Sequence, residues 1–319
     1  MDTDALNRRL RSAAPSPTVR RLVLTEADYL LFEAIRRHGP LPSHYLYELT
    51  KHARRDRSHL QNRLTEFYNG DANHPYLTRP PRQFASFKAR YQHLVYDLAP
   101  RARQVLAERA TKALCTPKRS DEFVHQLMQA CVAASIELTA PANGLRYISR
   151  NEILSHPSCP ATTQQAANPM AIPTHGFGGR STLIPDDLFG LEYPGQGYRF
   201  FALEIDRGTE SIERKDPGQT AFGRKVDGYL HILKQRVYRD HWGIRNLHVI
   251  TVTTNTTHAR NILDYVRRRN EPEYARRFGM VCEPCFGANW EVPNGVLTNL
   301  LEAPWATPGD TRRLFSGET

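Results

Sequence analysis

Long hydrophobic runs are missing from this sequence of 319 residues. No apolar stretch approaches the ~20 residues that a helix needs to cross a bilayer. A membrane-spanning role is therefore not expected. The opening segment, MDTDALNRRLRSAAPSPTVRR, lacks the apolar centre of a secretory signal, and the expected location is the cytoplasm. Cysteine is scarce, with five in the whole chain. So few in a chain this long argue against a disulfide framework and for reduced thiols. No internal repeat and no Ser/His/Asp arrangement stands out. Acidic residues are short only in the first third. Residues 1–112 hold 20 Lys and Arg against 11 Asp and Glu, whereas residues 113–319 hold 23 against 22. A basic segment of this kind meets nucleic acid or an acidic membrane, and the pattern within it favours nucleic acid.

Residues 1–20 are polar, contain Pro-Ser-Pro and read as a loose tail. Thr25, with Glu26 and Asp28 after it, marks a helix start. Leu30, Leu31, Ala34 and Ile35 follow at helical spacing, and His38-Gly39-Pro40 ends the run. A second short helix is predicted over 43–52 and a third over 53–68, where Leu60, Leu64 and Phe67 face inward. The third opens on Arg54, Arg55, Arg57, Ser58 and His59, with Arg63 further along. Residues 76–78 and 91–98 read as strands around a Pro- and Arg-rich stretch, and Pro100 starts a further helix. Three short helices followed by a two-stranded ribbon are the order of a winged helix-turn-helix over 21–112. Such a fold places the N-terminal end of its third helix in the major groove. The wing would present Arg79, Arg82, Lys88 and Arg90 to phosphates, interleaved with Phe84, Phe87 and Tyr91. The competing readings are a helical domain with a solvated basic face and a protein-docking module.

Residues 113–120 read as a linker, and 121–319 as an α/β domain. Its expected order is a helix over 121–138, strands at 145–149, 181–187 and 198–206, a helix over 219–238, a strand at 246–254 and a helix over 257–269. Turn residues are expected at 190–197. The strand at 198–206 carries the chemistry. Side chains alternate along a strand, so Glu204 and Asp206 share one face while Phe201, Leu203 and Ile205 take the other. Acids at the end of an apolar strand are costly to bury unless paired or bound to a cation. Asp186 and Asp187 end the preceding predicted strand. Oxygen ligands from two neighbouring strand ends are what a magnesium site needs. Lys225 falls within the apolar stripe of the next helix, formed by Phe222, Val226, Tyr229, Leu230 and Leu233, and so faces the sheet and its acids.

Pro185-Asp186 followed by Glu204-Ile205-Asp206, within this order of elements, resembles the PD-(D/E)xK nuclease superfamily. With the basic helical domain ahead of it, the chain resembles the replication-relaxation family of plasmid and mobile-element proteins over roughly residues 22–266. Leu203-Glu-Ile-Asp-Arg-Gly-Thr-Glu210 is the most recognisable segment. The resemblance implies that Asp186 and Glu204 bind Mg²⁺ or Mn²⁺, with Asp206 as a third acid. It implies double-stranded DNA as the partner, together with replication or conjugation proteins. The superfamily usually has Lys two residues after the Glu, where this chain has Asp206. Lys225, on the following helix, is the residue placed to take over that role. The opposing reading is a fold without chemistry, in which Glu204, Asp206, Arg207 and Lys225 form a structural ion cluster. Homodimerisation is left open.

Weaker signals are set against plain alternatives. Cys282-Glu-Pro-Cys285 and His156-Pro-Ser-Cys159 hold the donors of a zinc site, but their separation argues for ordinary reduced thiols. Gly176-Phe-Gly-Gly179 lacks the Lys of a phosphate loop and reads as a flexible loop. Glu137 and Arg267–Arg269 read as solvated helix ends.

Overall fold

Thr25 and Asp28 open the first helix together. Asp28 Oδ2 accepts hydrogen bonds from the Thr25 backbone N–H and from Thr25 Oγ1, both at 2.9 Å. In the computed structural model, which describes residues 14–16, 21–71, 74–85, 88, 91–110, 115–117, 122–174, 182–208, 222–312 and 315, this helix, α1, spans Glu26–His38. Most of the expected tail and linker, Phe87 and Arg90 of the expected wing, and the Gly176–Gly179 loop lie outside these residues.

The chain forms two compact units. The first gathers residues up to 116 with 120–134 and 289–296, and the second gathers 117–119, 135–288 and 297–319. In the first, α1 leads to β1 (Leu41–Pro42), α2 (Ser43–Thr50), α3 (Arg57–Asn69), β2 (Leu77–Thr78), β3 (Val95–Leu98) and α4 (Pro100–Arg109). The strands form an antiparallel sheet in the order β1-β3-β2. The third helix starts four residues later than its periodicity predicts. Asp56 caps it by accepting from the His59 N–H at 2.7 Å, so Arg54 and Arg55 precede it. The strand expected from residue 91 starts at Val95. The returning segment 289–296 packs within the same unit. Tyr45 donates to the Gly295 carbonyl at 3.2 Å, and Phe123 meets Trp290 edge to face. The helix α5 (Phe123–Thr139) carries the chain from the residues of one unit to those of the other.

The second unit continues with β4 (Arg146–Ile148), α6 (Arg150–Ser155), α7 (Ala161–Gln164), β5 (Ile172–Pro173), β6 (Thr182–Leu183), β7 (Asp187–Tyr193), β8 (Gly197–Asp206), α8 (Phe222–Lys234), α9 (Val237–Trp242), β9 (His248–Thr253), α10 (Thr256–Arg268), α11 (Pro272–Ala275), β10 (Phe278–Cys282), α12 (Asn299–Glu302), β11 (Trp305–Thr307) and β12 (Asp310–Arg312). Seven strands make one mixed sheet in the order β12-β11-β10-β9-β8-β7-β4. The β-branched strand β9 lies at its middle, parallel to β8 and β10. Parallel neighbours need long crossovers, and α8 to α10 provide them.

Three expectations are corrected. Residues 190–193 are strand rather than turn, and β7 begins where the predicted strand ends. Gly190 reads as punctuation in the sequence. In the sheet it makes room for the Phe200 ring, which an added Cβ would meet at 2.9 Å. The turn falls instead at 194–196, with Gly195 at φ 73°. The helix expected over 219–238 is broken, because Arg236 adopts φ 54° between α8 and α9. The strands β10 to β12 are additional to the predicted order.

Arg54 and Arg63 hold the start of α3 against α1. Both bond Asp28, at 3.2 Å from Arg54 Nη1 and 2.8 Å from Arg63 Nη2. Asp28 and Arg54 are buried. Burial opposes ionisation of Asp28, but the hydrogen bonds from Arg63 and Thr25 outweigh it and hold the carboxyl below its ordinary value of 3.8. Asp28→Ala leaves the buried Arg54 guanidinium without its counter-charge, a loss of about 3–5 kcal/mol for a broken buried pair. Urea melts of the full chain at neutral pH measure it. The depressed carboxyl stabilises fully above its unfolded pKa, and its contribution fades as pH falls through the lower folded one. The gap between wild type and variant should therefore narrow in strong acid.

Candidate functional site

On α3, Leu60, Leu64 and Phe67 are buried, whereas Arg57, Ser58 and His59 are exposed at its N-terminal end. Arg55 is 87% exposed just ahead of the helix. Arg57 sits over the Tyr47 ring at 5.2 Å and 4.0 Å from Glu48, yet its side chain remains 55% exposed. Of the cations predicted to reach DNA, Arg54 and Arg63 instead face inward to Asp28. Arg54 is buried and Arg63 half-buried, and both answer a buried acid on α1, a partnership across 26 and 35 residues of chain that periodicity does not disclose. Arg82 lies exposed in a short turn at 81–85, and Lys88 is exposed and paired with Glu291 at 2.5 Å. Arg79 is drawn back onto Tyr68, its guanidinium 4.0 Å from the ring centre.

The acids meet at one end of the large sheet. β8 and β9 run parallel, so Asp206 and Thr253 end side by side. β7 runs the other way, with Asp187 opposite Leu203. That register puts Asp186 just before β7 and beside Glu204. The Asp186 N–H donates to the Leu203 carbonyl at 3.0 Å, and Asp186 Oδ2 accepts from the Ile205 N–H at 2.8 Å. Asp186, Glu204 and Asp206 are all buried. Asp187 points elsewhere, into a buried ion pair with Arg150.

Each acid is answered by protein donors. Glu204 accepts from Lys225 Nζ at 3.2 Å and from the Tyr229 hydroxyl at 2.6 Å. The predicted orientation of Lys225 is what the helix α8 presents, its apolar stripe buried around it. Burial first, then the charge of Glu204, its hydrogen bond and the charge of Asp186, push the Tyr229 hydroxyl well above its ordinary pKa. Tyr229 is therefore a fixed donor. Asp206 accepts from the Gly208 N–H at 2.8 Å and lies 2.5 Å from His258 Nε2. His258 sits in the first turn of α10, which Asn255 caps through the Thr257 and His258 N–H groups. Arg207 turns away from the acids and donates to the Phe286 and Gly287 carbonyls.

Tyr229 and His258 extend the cluster beyond the predicted residues. Tyr229 was legible in one respect, since it follows Lys225 by four residues and shares its face. Its hydroxyl was hidden by its membership of the apolar stripe. His258 has no signal in the sequence, because only the parallel pairing of β8 and β9 brings the start of α10 to Asp206.

Among the described residues, no group of three or more His, Cys, Asp and Glu is arranged to hold a metal ion. As placed, Glu204 is met by Lys225 and Tyr229 and Asp206 by His258, while Asp186 accepts from the Ile205 N–H. Cys159 Sγ approaches the His241 carbonyl beside α9, whereas Cys282 ends β10 opposite Thr253. Arg269, at the end of α10, bonds Asp227 instead of only facing water.

The comparisons with known proteins fit this description. The replication-relaxation family model matches residues 32–247. That match covers more than half of the chain and runs from α1 through the acid cluster to the edge of β9, and the chain belongs to the replication-relaxation family. Membership points to a role in the replication or relaxation of plasmid or mobile-element DNA. No curated protein and no solved structure matches the chain. Among the described residues, no helix is long and apolar enough to cross a membrane.

The Glu204 partners generate a direct test. Lys225→Met keeps the apolar stem and removes the charge, leaving a buried carboxylate with the Tyr229 hydroxyl. A loss of about 3–5 kcal/mol is expected. Adding Glu204→Gln should recover much of it, because the carboxamide no longer requires a counter-charge. Denaturant melts of the two single variants and the double variant measure the coupling.

Proposed function

We propose that this chain is a DNA-binding protein of a plasmid or integrated mobile element, in which a winged helix-turn-helix grips duplex DNA and a PD-(D/E)xK nuclease-like domain follows it. The order α1-β1-α2-α3-β2-β3 with its three-stranded sheet supports the first domain. The run β4-β7-β8-β9-β10, with β7 antiparallel to both neighbours and acids at its start and at the end of β8, supports the second. The observation that carries DNA binding is the exposed cationic approach to α3, where Arg55 and Arg57 precede Ser58 and His59. Arg82 and Lys88 stand as wing contacts. Expected partners are double-stranded DNA and replication or conjugation proteins.

Salt titration tests this reading on the full chain. Each phosphate neutralised contributes about −0.9 to the slope of log affinity against log salt. Arg55, Arg57, Arg82 and Lys88 together give a slope of about −4 or steeper. The Arg55→Ala/Arg57→Ala pair should lower it by about 2. An affinity for duplex that ignores salt would overturn the proposal.

A second reading, Mg²⁺- or Mn²⁺-dependent cleavage of DNA, is favoured by one observation: Asp186, Glu204 and Asp206 gather with Lys225 at one sheet end. A cation there would compete with Lys225 and His258 for the carboxylates. The expected outcome is a higher melting temperature in millimolar Mg²⁺ or Mn²⁺, together with nicking of supercoiled plasmid. Asp186→Asn should remove both effects and spare duplex affinity. A wild type whose melting and plasmid substrate are both untouched by metal is a non-catalytic accessory factor.

A further inference from the structure

Beyond its cationic end, α3 presents a stripe without charge. Ser58, Gln61, Asn62 and Thr65 recur at i, i+3, i+4 and i+7, so they share one face, and all four are exposed. A helix face that merely meets water is best served by Lys, Arg and Glu, whereas Ser, Asn and Thr are poorer helix formers. The carboxamides of Gln61 and Asn62 are engaged by none of the described side chains. Thr65 Oγ1 donates to the Gln61 carbonyl at 3.0 Å. Its hydroxyl is thereby occupied, and its methyl is what it offers a partner. The acid of the neighbouring turn, Glu66, is held by Arg63 at 2.7 Å.

The surroundings say what covers this stripe. Arg55, Arg57 and Lys51, at 87%, 55% and 57% exposure, flank its N-terminal end. The first 112 residues carry nine more basic than acidic groups. Charge of this sign around an uncharged amide face complements a polyanion whose interior edges are neutral donors and acceptors, which describes duplex DNA. A carboxamide pairs bidentately with adenine N6 and N7, and a Thr methyl packs on the thymine methyl. Guanine is read instead by Arg or Lys, which the stripe lacks.

We propose that Gln61 and Asn62 read adenine edges in the major groove, with Thr65 against a thymine methyl, so that the DNA site of this protein holds A·T pairs beneath the middle of α3. This rests on the DNA-binding reading above. The test selects duplexes from a randomised pool with the full-length protein, its Gln61→Ala and Asn62→Ala variants, and melting controls for folding. Wild type should enrich adenine at neighbouring positions. Asn62→Ala should lose preference at one of them by about tenfold or more. Low-salt affinity for unrelated duplex should stay within about twofold, since that term comes from phosphate contacts. Enrichment of G·C pairs, binding without base preference, or folded variants that both keep the wild-type motif overturn the inference while leaving DNA binding intact. A folded wild type that binds no duplex overturns DNA binding itself.

Discussion

Glu204 and Asp206 are taken out of water by the strand that carries them, and the second unit is organised around that cost. An ion buried without a partner costs several kcal/mol. The alternation of β8 sends Phe201, Leu203 and Ile205 to one face and leaves the acids on the other. Counter-groups must then arrive from elsewhere. Lys225 and Tyr229 come from α8, and His258 comes from α10. The parallel pairing of β8 with β9 sets where both helices start and end. The same cluster is therefore part of the packing of the unit as well as its candidate chemical centre. The matched region takes in Asp186, Glu204, Asp206, Lys225 and Tyr229 and ends before His258.

A related constraint acts in the first unit. Asp28 caps α1 and also receives Arg54 and Arg63, so one buried carboxylate fixes the angle at which α3 emerges. Two arginines spent on that task leave Arg55, Arg57 and the amide stripe to face outward. Charge count alone treats all of these cations as equal. Burial separates those that hold the helix in place from those left exposed.

What was legible in the sequence follows the range of the physics involved. Helix periodicity placed α1, α2 and α10 closely, and strand alternation placed Glu204 and Asp206 on a common face. Lys225 was correctly turned inward because three- and four-residue spacing decides which side of a helix a residue occupies. Gly190 misled because a glycine that admits a neighbouring ring reads in one dimension like a turn. The break at Arg236 has no proline or glycine to announce it. Arg54, Arg63 and His258 were opaque for a shared reason, since their roles depend on partners that sequence separation hides. β10 to β12 complete the sheet only once β9 is in place to pair with.

Residues 289–296 return to the first unit after an excursion of about 150 residues through the second. Synthesis on the ribosome proceeds at ~5–20 residues per second, so roughly 10–30 s separate the emergence of α5 from that of the segment carrying Trp290 and Gly295. During that interval Phe123 and the Tyr45 hydroxyl lack their eventual neighbours. The nascent chain thus holds an unfinished first unit until the second has been synthesised. Chains abandoned before residue 289 would be born without that closing piece, and their first unit would lack the contacts that Trp290 and Gly295 supply.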